Sequence, residues 1–202
     1  MHPEHSFLNI FRFKDPEVEK EAEEKKFTEF YEQRDFSEEK SIELHDRAKT
    51  VVKRAKELKK GIKMLPENLP TEFREAIDNT ISSLTEDIQL EAEDIVAIAD
   101  EVRIDTDNIL YAMRRESERY EQKIESINRI RSFPLMGTVG EKTIPSMYTA
   151  LDELSSLSSD TNTFYESILC SKNLVKDLVR TEEEIQAAKE RAEAEAAENE
   201  SE

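Results

Sequence analysis

One cysteine, three glycines, six prolines and no tryptophan in 202 residues remove most routes to chemistry before any pattern is read. A lone Cys170 supports neither a disulfide framework nor a thiolate metal site, and its place beside an apolar row predicts a small buried residue. Three glycines are too few, and too scattered, for a phosphate-cradling loop. The histidines are His2, His5 and His45, without the further ligands that a metal site needs. No Glu and His recur three apart as a di-iron bundle requires. Neither a Ser/His/Asp nor a Cys/His arrangement stands where a fold could assemble it. No catalytic, cofactor-binding or metal-ligating residue is therefore expected, and the chain reads as a non-enzyme without cofactors.

No apolar run approaches the roughly 18 residues that cross a bilayer. The N-terminus lacks the basic-then-apolar order of a secretory leader. An intracellular, cytoplasmic protein is the expectation. Cations are also short: 29 against 47 acidic residues, a net charge of −18. Phosphates would be repelled, which argues against nucleic acid and against broad adhesion to anionic membranes. With 38% of residues charged and 37% hydrophobic, the composition suits a thin, elongated body that keeps most residues at its surface.

What is abundant is helical periodicity. Ile81, Ile88, Ile95, Val102 and Ile109 stand seven apart, and Ile77, Leu84, Ile98 and Ala112 supply a second inner row. Only a long helix with partner helices buries such a stripe. No proline or glycine interrupts Thr71 to Phe133. After Ile109 the stripe shifts to Met113, Tyr120, Ile124 and Ile127, as a four-residue insertion would shift it.

Around this spine the chain divides into an aromatic N-terminal segment (1–15), a coiled-coil rod (16–185) and an acidic Ala/Glu tail (186–202). The rod holds helices at about 16–34, 38–65, 71–131 and 146–190. Asp15-Pro16 caps the first, and Ser37 caps the second after a break at Arg34–Phe36. The second carries Leu44, Ala48, Val51, Ala55, Leu58, Ile62 and Leu65. Pro66 and Pro70 bracket a tight turn, and an apolar loop from Ser132 to Pro145 is expected to pack over the end of the bundle. The fourth helix aligns Met147, Leu154, Thr161, Ile168 and Val175 with Ala150, Leu157, Phe164, Ser171, Leu178 and Ile185. The fold class is thus all-α: an elongated antiparallel three-pass helical bundle, or coiled coil, with one very long central helix. Folding symmetrically about the turns puts residue 35 opposite 101 and 105 opposite 173. The break, the polar run Asp105–Asn108 and Ser171–Asn173 then share a level, predicting a hinge near mid-rod.

Glu91 and Asp105 fall at inner positions and need basic partners or a wet core, with Lys172 the candidate for Asp105. From Arg47 to Lys63, eight basic residues face one glutamate, a net of +7, and pairing with the acidic spine absorbs most of it. Ser155–Thr161 is poor helix material, read as a weakly packed surface. The best binding candidate is the aromatic segment. It carries Phe7, Leu8, Ile10, Phe11 and Phe13, of which Phe7, Ile10 or Phe11, and Phe13 or Lys14 form one helical face that either enters a partner's groove or caps the bundle's own end.

These features imply a structural or scaffolding subunit that assembles with protein partners, as a homo- or hetero-oligomer, through coiled-coil faces. The alternative is a membrane-shaping module, similar in helix count and length to the crescent-shaped BAR-type domains, using the basic second helix.

Overall fold

The computed structural model describes residues 16–181 together with 183, 184, 186 and 187. The aromatic segment, including Phe7, Leu8, Ile10, Phe11 and Phe13, lies outside the described residues, as does most of the acidic tail. Among the described residues the chain is all-helical. Three α-helices, α1 (Pro16–Lys63), α2 (Thr71–Arg131) and α3 (Thr143–Val175), pack against one another, and a 3-10 turn at Lys176–Leu178 follows α3. α2 alone has 61 residues, about 90 Å at 1.5 Å per residue.

Three sequence expectations are corrected. The break at Arg34–Phe36 does not occur, and α1 is one helix of 48 residues. Nothing between Arg34 and Ser37 forbids helix, since neither proline nor glycine is present. Arg34 Nη1 lies 3.2 Å from both Asp35 and Glu38, a local pairing on the helix surface. Ser37 is buried inside the bundle and so does not cap a new start. Second, the last helix ends at Val175, not near 190. Val179 is extended, and the helical turn that follows has its own cap. The Thr181 amide donates to Glu184 Oε2 at 2.8 Å while Glu184 N donates to Thr181 Oγ1 at 3.3 Å, a reciprocal capping box. Third, the apolar loop does not fold over the end. Phe133, Leu135 and Met136 are exposed, and only Ile144 is buried, with Val139 half-buried.

Two loop positions take left-handed backbone: Leu135, with φ +70°, and Gly140, where the neighbouring helix is close. At Gly140 φ is +75°, and a Cβ there would lie 2.4 Å from Ile127 Cγ2, so the chain passes directly over α2.

The inner rows explain the core. α1 buries Phe30, Ser37, Leu44 and Val51; α3 buries Leu154, Thr161, Ile168 and Val175. On α2 the second inner row is Ala92, Ala99, Thr106, Met113 and Tyr120, in place of Leu84, Ile98 and Ala112. This row keeps its seven-residue step throughout, so the expected phase shift after Ile109 disappears. α1 and α3 run together with α2 opposite. Phe30, Met113 and Leu154 belong to one apolar cluster, and Leu44, Ala99 and Ile168 to another. One heptad from each falls Ser37, Thr106 and Thr161.

The polar interruption near mid-length is therefore real, but it lies in the core, with both α1 and α2 running through it unbroken. A backbone hinge is not what the sequence was signalling. The register also differs from symmetric folding. Lys26–Glu116 and Arg47–Asp94 bring residue 35 level with Thr106 or Asp107, and Lys172 reaches Asp100, at 2.6 Å, and not Asp105. The cause is the first turn: α1 stops at Lys63, and the start of α2 extends beyond it, mostly exposed.

Candidate functional site

Following the β-branched row of α2 one heptad past Ile109 reaches Glu116. Its inner position buries it to 6% exposure, an unfavourable setting for an ionised carboxylate. Two cations offset that cost. Lys26 Nζ on α1 lies 2.7 Å from Oε2, and Arg119 Nη1, one turn on along α2, lies 2.9 Å from Oε1. The cluster continues through Glu23, which meets Lys123 at 3.2 Å and Arg119 at 3.7 Å. Tyr120 is buried within it. Burial, then the negative charges of Glu23 and Glu116, push its hydroxyl up to about 12, so it stays protonated at any physiological pH. Both oxygens of Glu116 are occupied by cations, so the group is a held acceptor that fixes α1 against α2.

Sequence reasoning named Glu91 and Asp105 instead. Glu91 stands beside the inner row, which passes through Ala92; it is half-buried and accepts from Arg54 Nη1 at 2.6 Å. Asp105 is exposed, because the true inner row passes through Thr106. Cys170 is exposed rather than buried; the inner positions either side of it are Ile168 and Ser171. His45 is half-buried, with Nδ1 enclosed and without a hydrogen-bond partner. In the serine-rich stretch Leu157 and Thr161 are fully inside while Ser155, Ser156 and Ser159 face out.

The basic stretch of α1 is only partly neutralised by α2. Arg47 reaches Asp94 at 2.5 Å and Arg54 reaches Glu91, while Lys53 lies 3.9 Å from Glu57 on its own helix. Lys49, Lys56, Lys59, Lys60 and Lys63 form no ion pair among the described residues. Lys49, Lys53, Lys56 and Lys60 instead line an open groove floored by Val52 and Leu174. At the same level of the bundle Arg180 grips Glu93 through two nitrogens, each 2.7 Å from a carboxylate oxygen. That guanidinium holds the Glu93 carboxyl below its ordinary range.

A further row was not read from the sequence. On the face of α2 turned away from its buried rows, Leu90, Ala97, Ile104 and Tyr111 stand seven apart and exposed. The spacing was present in the sequence but was hidden by the denser isoleucine stripe on the opposite face.

Among the described residues no three His, Cys, Asp or Glu side chains gather as a metal site would need, and no helix is long and apolar enough to cross a membrane. In comparisons with protein families, curated proteins and solved structures, nothing matches this chain.

Proposed function

We propose that the protein is a non-enzymatic structural or scaffolding subunit, a coiled-coil rod built around its long middle helix that mediates protein–protein assembly. The observation that carries this reading is the outer row of α2. Leu90 is 49%, Ile104 55% and Tyr111 63% exposed, in a periodicity that a passing helix from another chain would cover. Exposed Glu101, Asp105 and Asp107 flank the row, so a partner with basic flanks fits better than a second α2. Phe7, Leu8, Ile10, Phe11 and Phe13 supply a second partner-binding element at the N-terminal end.

The test compares the wild-type chain with Ile104→Glu/Tyr111→Glu and, separately, Phe7→Ser/Phe11→Ser. Light scattering and affinity capture from the native cell are the readouts. The expected result is a stoichiometric protein partner, or self-association, lost in a variant whose melting temperature is unchanged. A wild-type chain that stays monomeric and captures nothing stoichiometric sinks the reading.

A second reading, a BAR-like membrane-binding module, is favoured by the lysines of α1 that lack ion-pair partners. Charge-dependent pelleting with anionic liposomes, abolished by Lys53, Lys56, Lys59 and Lys60 to glutamate, would support it. No pelleting at low salt would remove it.

A further inference from the structure

Pairing inside the chain leaves over two charged strips, of opposite sign and on opposite sides of the bundle. Between Asp87 and Asp107, α2 carries eight acids against Arg103 alone. Glu91, Glu93, Asp94 and Asp100 are taken up by Arg54, Arg180, Arg47 and Lys172, and Arg103 lies 3.8 Å from Asp100. Asp87, Glu101, Asp105 and Asp107 are exposed and form no ion pair among the described residues. They flank the exposed row Leu90, Ala97 and Ile104. The outer face of α2 is thus an apolar ridge with an acidic border, about 21 Å long at 1.5 Å per residue.

On the far side α1 and α3 meet in the open groove of about 580 Å³ floored by Val52 and exposed Leu174. Its walls are Lys49, Lys53, Lys56 and Lys60, and its one acid, Glu57, lies beside Lys53. Steps of four, three and four put these lysines on one face of α1, a cationic strip about 17 Å long. Ridge and groove match in length, in apolar centre and in opposite charge. Two helix layers, roughly 20 Å, separate them, so one chain cannot bring its own two surfaces together. A second copy can.

We infer that the α2 ridge of one copy seats in the α1–α3 groove of the next, as a fourth helix against that pair. Leu90, Ala97 and Ile104 meet Val52 and Leu174, and the bordering acids meet the lysines. This rests on the assembly reading above and names its partner: the surface with basic flanks is carried by the chain itself. Ridge and groove are different patches, so the contact is heterologous. Every bound copy still offers one free ridge and one free groove, and growth continues past the dimer. The net charge of −18 opposes this approach at a distance, while the contact charges favour it. Screening decides between them: the Debye length is about 30 Å at about 0.01 M salt, about 10 Å at about 0.1 M and about 3 Å at about 1 M. Low salt leaves the repulsion of whole molecules, and high salt weakens the contact pairs. Association therefore peaks between the two.

The test is sedimentation velocity of the full chain over a concentration series. It adds two charge reversals at exposed positions: Lys49→Glu/Lys56→Glu/Lys60→Glu in the groove and Glu101→Lys/Asp105→Lys/Asp107→Lys on the ridge. The wild type should form species larger than a dimer, most abundantly near about 0.1 M salt. Either variant alone should associate at least about tenfold more weakly, because its ridge and groove then carry the same sign. An equimolar mixture of the two should associate again, since each supplies the sign that the other's surface needs, and only folded variants can do so. Self-association that stops at a dimer, or that the mixture does not restore, overturns the inference. A wild type that stays monomeric overturns it too. Pelleting of that monomer with phosphatidylserine vesicles would assign the groove to lipid, whereas stoichiometric capture of a foreign protein would leave the assembly reading standing.

Discussion

Thr161 offers the sharpest test of how the core is built. It is 0% exposed, and its Oγ1 has no hydrogen-bond partner. Thr106 sits in the same layer at 1% exposure, but its Oγ1 donates to the Val102 carbonyl at 2.8 Å. The same substitution at both sites therefore separates an unsatisfied hydroxyl from a satisfied one while shape and helix propensity stay nearly constant. Leaving a buried hydroxyl unpaired costs about 1–3 kcal/mol, whereas exchanging a bonded one for a methyl is close to neutral. Thr161→Val should accordingly stabilise the fold by about 1–2 kcal/mol. In a chain of this size that raises the midpoint by roughly 2–4 °C per kcal/mol. Thr106→Val should move it by less than about 0.5 kcal/mol. Ser37→Ala and Ser41→Ala form a matching pair on α1. Ser37 Oγ lacks a partner, whereas Ser41 Oγ donates to Glu38 O at 2.8 Å. Both gain the same alanine propensity, so the excess gain at Ser37 isolates the hydroxyl. Circular dichroism melts and urea titrations at neutral pH give the numbers. If Thr161→Val loses more than about 1 kcal/mol, the hydroxyl is bonded after all, for instance to an enclosed water, and the account of the layer fails.

Further expectations follow from single sites. Gly140→Ala should cost about 2–4 kcal/mol, combining left-handed backbone strain with the clash on Ile127. Shortening Ile127 to Ala in the same chain should relieve the clash, giving a non-additive double-mutant cycle in urea melts. Gly61→Ala, at an open position on α1, should instead stabilise by about 0.5–1 kcal/mol. Glu116→Leu should be neutral or stabilising in thermal melts, because Lys26 and Arg119 are 42% and 37% exposed and can turn to water. A loss of several kcal/mol there would mean that the ion cluster is an essential part of the packing. Tyr120 is raised to about 12, so the folded state holds its proton more tightly than the unfolded chain does. The stability tied to it is complete below pH 10 and is lost as pH rises from 10 towards 12. Tyr120→Phe should flatten that part of the stability profile and remove the last-ionising step at 295 nm.

The all-helical fold could be read in advance because one row, Ile81 to Ile109, repeats without exception and admits no other secondary structure. Its partner row was harder. Ala92, Ala99 and Thr106 are small or polar, and a reading weighted by hydrophobicity preferred Ile98 and Ala112 beside them. Once that row was misplaced, the phase shift and the burial of Asp105 followed from it, while Glu116 was passed over although it lies in line with Ile109. The break at Arg34–Phe36 was a similar error of level. A polar residue inside a helix weakens its packing without ending it, and Ser37 marks the core layer. The end of α3 at Val175 left no such trace, although Thr181-x-x-Glu184 was a readable start signal for the helix that follows it.

The constant seven-residue stepping of α1, α2 and α3 also limits how the molecule can change in size. A residue gained or lost within one helix would slide every later layer out of step with the other two. Whole heptads, matched across all three passes, are the smallest unit by which the body can grow or shrink. Length variation among its descendants should therefore be quantised in the helices and continuous only at the two connecting turns.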